Sequence, residues 1–164
     1  MKSKRTATYG LLIALAFILS YIETLIPIPF AVPGMKMGLA NLVVITGLYA
    51  MGGKQAFVLS MIRIILVGFT FGNLSTMAFS IAGGLLSWFL MLIFMKTKWF
   101  SIVGVSIIGG ISHNIGQILV SIYIVDNLNI AYYLPFLLIT GVVTGTLIGM
   151  LGALIVKRLK NFDI

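Results

Sequence analysis

The chain has 164 residues, 60% of them hydrophobic and 9% charged, against about 25% charged in soluble domains. One soluble core of this length could not hide so much apolar surface, so lipid has to cover the rest. The net charge of +8 would suit a nucleic acid, but the basic residues gather at the ends of apolar runs, where anionic headgroups lie, so no nucleic-acid partner is expected. With no Cys, disulfides, thiolate catalysis and Cys-ligated metal are excluded.

Six apolar spans follow one another, at roughly 6–26, 37–52, 55–71, 74–95, 100–125 and 132–156. They make one transmembrane domain over 1–164. Nine of the eleven Lys and Arg residues flank alternate gaps: Lys2, Lys4 and Arg5, then Lys54, then Lys96 and Lys98, then Lys157, Arg158 and Lys160. That alternation is the positive-inside pattern of a multi-pass protein with both termini cytoplasmic. The expected fold class is therefore an all-α bundle of six transmembrane helices. The basic start resembles a signal peptide, but the run from Tyr9 to Ile26 is long and no small-residue cleavage pattern follows, so it reads as a retained first helix.

After the first span, Pro27, Pro29 and Pro33 remove donors and force extended backbone. This apolar external segment either tucks against the bundle or covers something. Spans two and three are short, and Gly52-Gly53-Lys54 makes a tight cytoplasmic hairpin between them. Gly141, Gly145, Gly149 and Ala153 form a smooth stripe on span six, as Ser106 and Gly110 do on span five and Gly10 and Ala14 on span one. Such stripes mark helix packing, or a partner where they face outward.

Polar side chains inside the spans are few. Span three enters from the cytoplasm, so Arg63 lies roughly 12–14 Å in, near the midplane. Glu23 lies in the outer half of span one, and Asn41 within the first two turns of span two. His113, Asn114 and Gln117 lie past the midplane on span five, and Asn73 at the outer turn after span three. All seven sit at or above the midplane, which describes a polar pocket open to the outside. Glu23 and Arg63 could equally be a structural pair, the span-five group interhelical glue, and Asn41 and Asn73 helix caps. As a pocket, Arg63 would hold an anionic or zwitterionic solute, with the amides and imidazole giving directional bonds.

Catalysis lacks its parts. There is no Walker A pattern, and Glu23, Asp126 and Asp163 are the only acids, too few and too scattered to hold Mg²⁺ and a diphosphate. The single His is a poor metal site. No enzyme, metal or cofactor is expected.

The stretch Pro33-Gly-Met-Lys-Met-Gly-Leu-Ala-Asn41, with Gly52-Gly53-Lys54-Gln55, Arg63 and Phe71-Gly72-Asn73, resembles the Gx transporter family, also labelled heptaprenyl diphosphate synthase component I. The layout resembles the substrate-binding S components of energy-coupling-factor transporters. That resemblance implies capture of a small polar or amphipathic solute, and a partnership with a transmembrane coupling subunit and two ATPases in a prokaryotic cell membrane. It also implies a docking face on the first helix, where Gly10 and Ala14 occupy the spacing of an Ala-x-x-x-Ala motif, and a first external loop, residues 27–36, that covers the ligand. The synthase label implies instead a non-catalytic subunit linked to isoprenoid or menaquinone metabolism, or to quinone-linked electron transfer. A proton-coupled solo carrier using Glu23 and His113 is a further reading, but no polar route to the cytoplasm is evident.

Overall fold

The computed structural model describes residues 2–25 and 38–160, and all their regular structure is helical. The elements are α1 (Lys2–Leu25), α2 (Asn41–Ala50), α3 (Gly53–Phe71), α4 (Leu74–Thr97), α5 (Ile102–Val125), a 3-10 segment (Leu128–Tyr133) and α6 (Leu134–Lys160). Five of these helical stretches are long and apolar enough to cross a membrane, by length and composition. The Pro-rich segment lies outside the described residues.

Local chemistry sets several of the helix ends. Gly52 adopts φ +103° before α3, a conformation that costs an L side chain strain. Asn73 closes a capping box on α4, Ser101 accepts from Gly104 N at 3.2 Å to start α5, and Lys98 and Asp126 end α4 and α5 in the left-handed region.

The expected second span differs most. Its helix has ten residues, about 15 Å at 1.5 Å rise, half of a bilayer core of about 30 Å. Gly38 at φ +87° and a turn over Leu39 and Ala40 stop it on its N-terminal side. In place of a lipid-facing stripe, Asn41 through Leu48 are all buried. α2 is thus a short plug at the centre of the bundle, where periodicity is absent because every face is covered.

Around it, α5 packs between α4 and α6, α2 touches α3 and α6, and α1 packs against α2 and α3 alone among the described elements. The main core joins Leu42, Val44, Ile45 and Leu48 of α2 to Ala56, Met91, Val105 and Ile148. A second cluster of Leu12, Ala16, Val43 and Leu59 holds α1 in place. Residues such as Leu11, Phe69, Phe89, Leu119, Ile139 and Leu147 point outward, as lipid-facing positions would.

Close approach decides the α5–α6 seam. A Cβ on Gly110 would meet the carbonyl of Gly141, and one on Gly145 would stand 2.7 Å from the Ile107 Cα. Without an apolar solvent contrast between helices, such backbone contact and dispersion carry the association. Gly110→Val should therefore lower the unfolding temperature in detergent, at a cost of about 1–3 kcal/mol or more from overpacking. Gly10→Val should leave it unchanged, because nothing lies within 4 Å of a Cβ there. Tryptophan-fluorescence melts of the two variants check this.

Candidate functional site

Glu23, near the end of α1, is 3% exposed. Its Oε1 accepts from the backbone N–H of Gly38 and from that of Leu39, the latter at 3.2 Å. These are the donors left over where the chain turns into α2. Irregular backbone at this depth survives only where protein satisfies it, and the carboxylate does so.

Arg63 lies ten residues along α3 from Gly53, about 15 Å up the helix, level with the start of α2. It is 6% exposed and couples electrostatically to Glu23. Its Nε has no hydrogen-bond partner among the described residues. His113 of α5 is 2% exposed and faces the same point. The backbone of Gly38 wedges between it and Asn41: a Cβ there would lie 2.9 Å from Asn41 Nδ2 and 3.4 Å from His113 Cδ2.

These groups enclose one cavity. Ser20 and Glu23 line it from α1, Arg63, Ile64, Val67 and Gly68 from α3, Thr76 and Ser80 from α4, and His113 from α5. Its volume is about 10 Å³, room for a single water. The arrangement offers donors on an anion-favouring floor, with a carboxylate and an imidazole beside them.

Of the expected site residues, Glu23, Arg63 and His113 meet in this cavity, and Asn41 abuts it through Gly38. Asn41 also sits deeper than its position in the sequence suggests, because α2 is only ten residues long. The other three are placed elsewhere. Asn114 points away from His113, as neighbours about 100° apart on a helix must, and donates through Nδ2 to Leu137 O at 2.6 Å, tying α5 to α6. Gln117 is buried one turn further along, its Cγ 3.0 Å from a Cβ on Gly83. Asn73 is exposed and caps α4: its Oδ1 accepts from Thr76 N and its N–H donates to Thr76 Oγ1, each at 2.9 Å. It reaches the cavity only by fixing Thr76.

Ser20, Thr76 and Ser80 were missed because hydroxyls are common in apolar helices. The available signal was spacing: Ser20 is three residues before Glu23, and Thr76 and Ser80 are four apart on one face of α4. Gly10 and Ala14 face outward from α1 and are exposed. Among the described residues, no group of three His, Cys, Asp or Glu could hold a metal ion.

Apolar helices wrapped around a polar cavity define a class of multi-pass membrane protein. The S component of a bacterial ECF transporter shares this fold, with a TM-score of 0.75, 18% identity, and coverage of 99% of this chain and 98% of that one. The sequence model of heptaprenyl diphosphate synthase component I matches residues 12–155, and the chain belongs to that family. No curated protein matches.

Two substitutions separate the cavity from its surroundings. Gly38→Ala should destabilise the fold strongly, from strain at φ +87° and collision with Asn41. Asn73→Ala should cost about 1 kcal/mol, the usual value of a lost cap. Thermal melts measure both.

Proposed function

We propose that this chain is a substrate-capture subunit, a single transmembrane domain that takes up a small polar or amphipathic solute in the manner of an S component. The observation that carries this reading is the Arg63 guanidinium, buried beside Glu23 and His113 with an Nε that no described residue partners, lining a cavity inside that fold. Keeping a charge at this depth is expensive, and intramembrane ionisable groups normally mark a ligand or ion site. The guanidinium takes a carboxylate or phosphate. Glu23, His113, Asn41, Ser20 and Ser80 meet the remaining polar groups.

The chain crosses the cell membrane six times in this reading, with α2 as the short second pass. Exposed Lys54, Lys96, Lys98, Lys157 and Arg158 lie at the cytoplasmic end, with Tyr123, Tyr132 and Tyr133 at the other interface. In this reading the membrane is the cytoplasmic membrane of a prokaryote. A vitamin-sized solute needs about 300 Å³ or more, so capture requires the walls to part. The wall that parts in this reading is α1, which among the described elements packs only against α2 and α3. Energy comes from partner ATPases through a coupling subunit that docks on the Gly10–Ala14 face.

A second reading has one observation in its favour. A groove of about 230 Å³ lined by Leu154, Ile155, Leu159 and Arg158 on α6 suits an apolar chain ending in a phosphate. With the family description, this supports a non-catalytic membrane subunit of isoprenoid metabolism.

Thermal-shift screening against vitamins, their precursors and prenyl diphosphates decides between the two. A captured solute at about a hundred times its Kd stabilises by about 2.7 kcal/mol. That shift should vanish in Arg63→Ala and persist in Arg158→Ala, and the reverse pattern would favour the second reading. Gly10→Trp should abolish co-purification of an ATPase module while leaving the shift intact.

A further inference from the structure

The cytoplasmic half of the bundle contains polar groups that capture does not use. Ser60 and Ser87 are each 1% exposed, and the Oγ of each has no hydrogen-bond partner among the described residues. A buried hydroxyl left unpaired costs about 1–3 kcal/mol, and in native interiors such groups are served by ordered water.

The hydroxyls are aligned rather than scattered. Ser80, which lines the cavity, continues down one buried face of α4 as Gly84, Ser87 and Met91. Ser60 lies one turn below Arg63 on α3, and a Cβ on Gly84 would stand 3.3 Å from its Oγ. Ser87 comes next, with its Oγ 3.3 Å from a Cβ on Gly109 of α5. Below it the Met91 side chain fills the same glycine surface, its Sδ 2.5 Å from that Cβ position. This turn of α4 is level with the α2–α3 hairpin: Trp88 Nε1 donates to Gly53 O at 2.9 Å, and a Cβ on Gly53 would stand 2.7 Å from Leu92 Cδ1.

We propose that the polar cavity continues toward the cytoplasm as a hydrated track past Ser60 to Ser87, and that Met91 is the side chain that plugs it. Water on this track serves the Ser60 and Ser87 hydroxyls and the Nε of Arg63, which no described residue partners. The track requires no captured solute, so it stands whichever functional reading holds. Met91 then closes the lower end of the track from within the core cluster it shares with Val105 and Ile148. Methionine suits a plug, since its unbranched side chain fills an irregular gap and can swing aside.

The absence of cysteine makes a clean test possible. Ser87→Cys and, as a control, Val105→Cys are placed in the full chain in inside-out vesicles. Val105 is fully buried and belongs to the same core cluster as Met91, but it is apolar. Silver ion, close to water in size, is applied from the cytoplasmic side, and unblocked thiol is counted with a fluorescent maleimide after denaturation. With Met91 in place both thiols should be blocked slowly. With Met91→Ala the thiol at 87 should be blocked more than an order of magnitude faster and the thiol at 105 should not. Equal rates at 87 with and without Met91→Ala would overturn the proposal, and so would equal acceleration at 105, which would mean general loosening. If Met91→Ala does not insert, Met91→Thr gives the same two readings.

Discussion

Non-helical backbone inside the bundle is the constraint on which the rest depends. At Gly38–Ala40 the chain turns before α2 begins, and no water-filled exterior is at hand to satisfy the freed N–H groups. Glu23 supplies the acceptor. A carboxylate held there needs a counter-charge, and Arg63 of α3, which lines the same cavity, couples to it electrostatically. The turn, the acid and the base therefore imply one another. Removing any one leaves a buried polar group whose cost is several times that of an ordinary surface contact.

This arrangement fixes the site. Because α2 is half the length of its neighbours, its first turn opens at the depth where Arg63 sits, and the space above it falls to α1, α3, α4 and α5. α5 is clamped on both sides by glycine contacts, against Ala82 and Gly83 of α4 and Gly141 of α6. It carries His113, while Glu23 is on α1, which packs against the fewest of the described helices. A doubly clamped helix and a less enclosed one face each other across the cavity.

Much of this was legible in the sequence, and the gaps have physical causes. Long apolar runs and their caps reveal α1, α3, α4, α5 and α6, because length and hydropathy act locally. That span two is short was legible, but the start of its helix at Asn41 was not, since Gly38 in a left-handed conformation and an acceptor fifteen residues away are tertiary facts. Charged residues such as Glu23 and Arg63 announce themselves by their cost in lipid. Asn73, Asn114 and Gln117 shared their depth, but depth along a helix does not give rotation around it, and rotation sends Asn114 to α6 and His113 to the cavity. Serines stayed silent because a hydroxyl in an apolar helix can bond to its own backbone, as Ser112 and Ser121 do. Only the packing reveals that Ser60 and Ser87 do not.

The most direct test of this account is a double-mutant cycle between Glu23 and Arg63, read by unfolding of the detergent-solubilised protein. Glu23→Gln keeps an acceptor for Gly38 but removes the charge, and Arg63→Met removes the guanidinium while conserving bulk. If the two charges hold the cavity together, each single change destabilises strongly, by about 3–5 kcal/mol, and the double variant recovers a large share of that loss. Strictly additive effects would mean that the residues act independently, and the cavity would then lose its electrostatic floor.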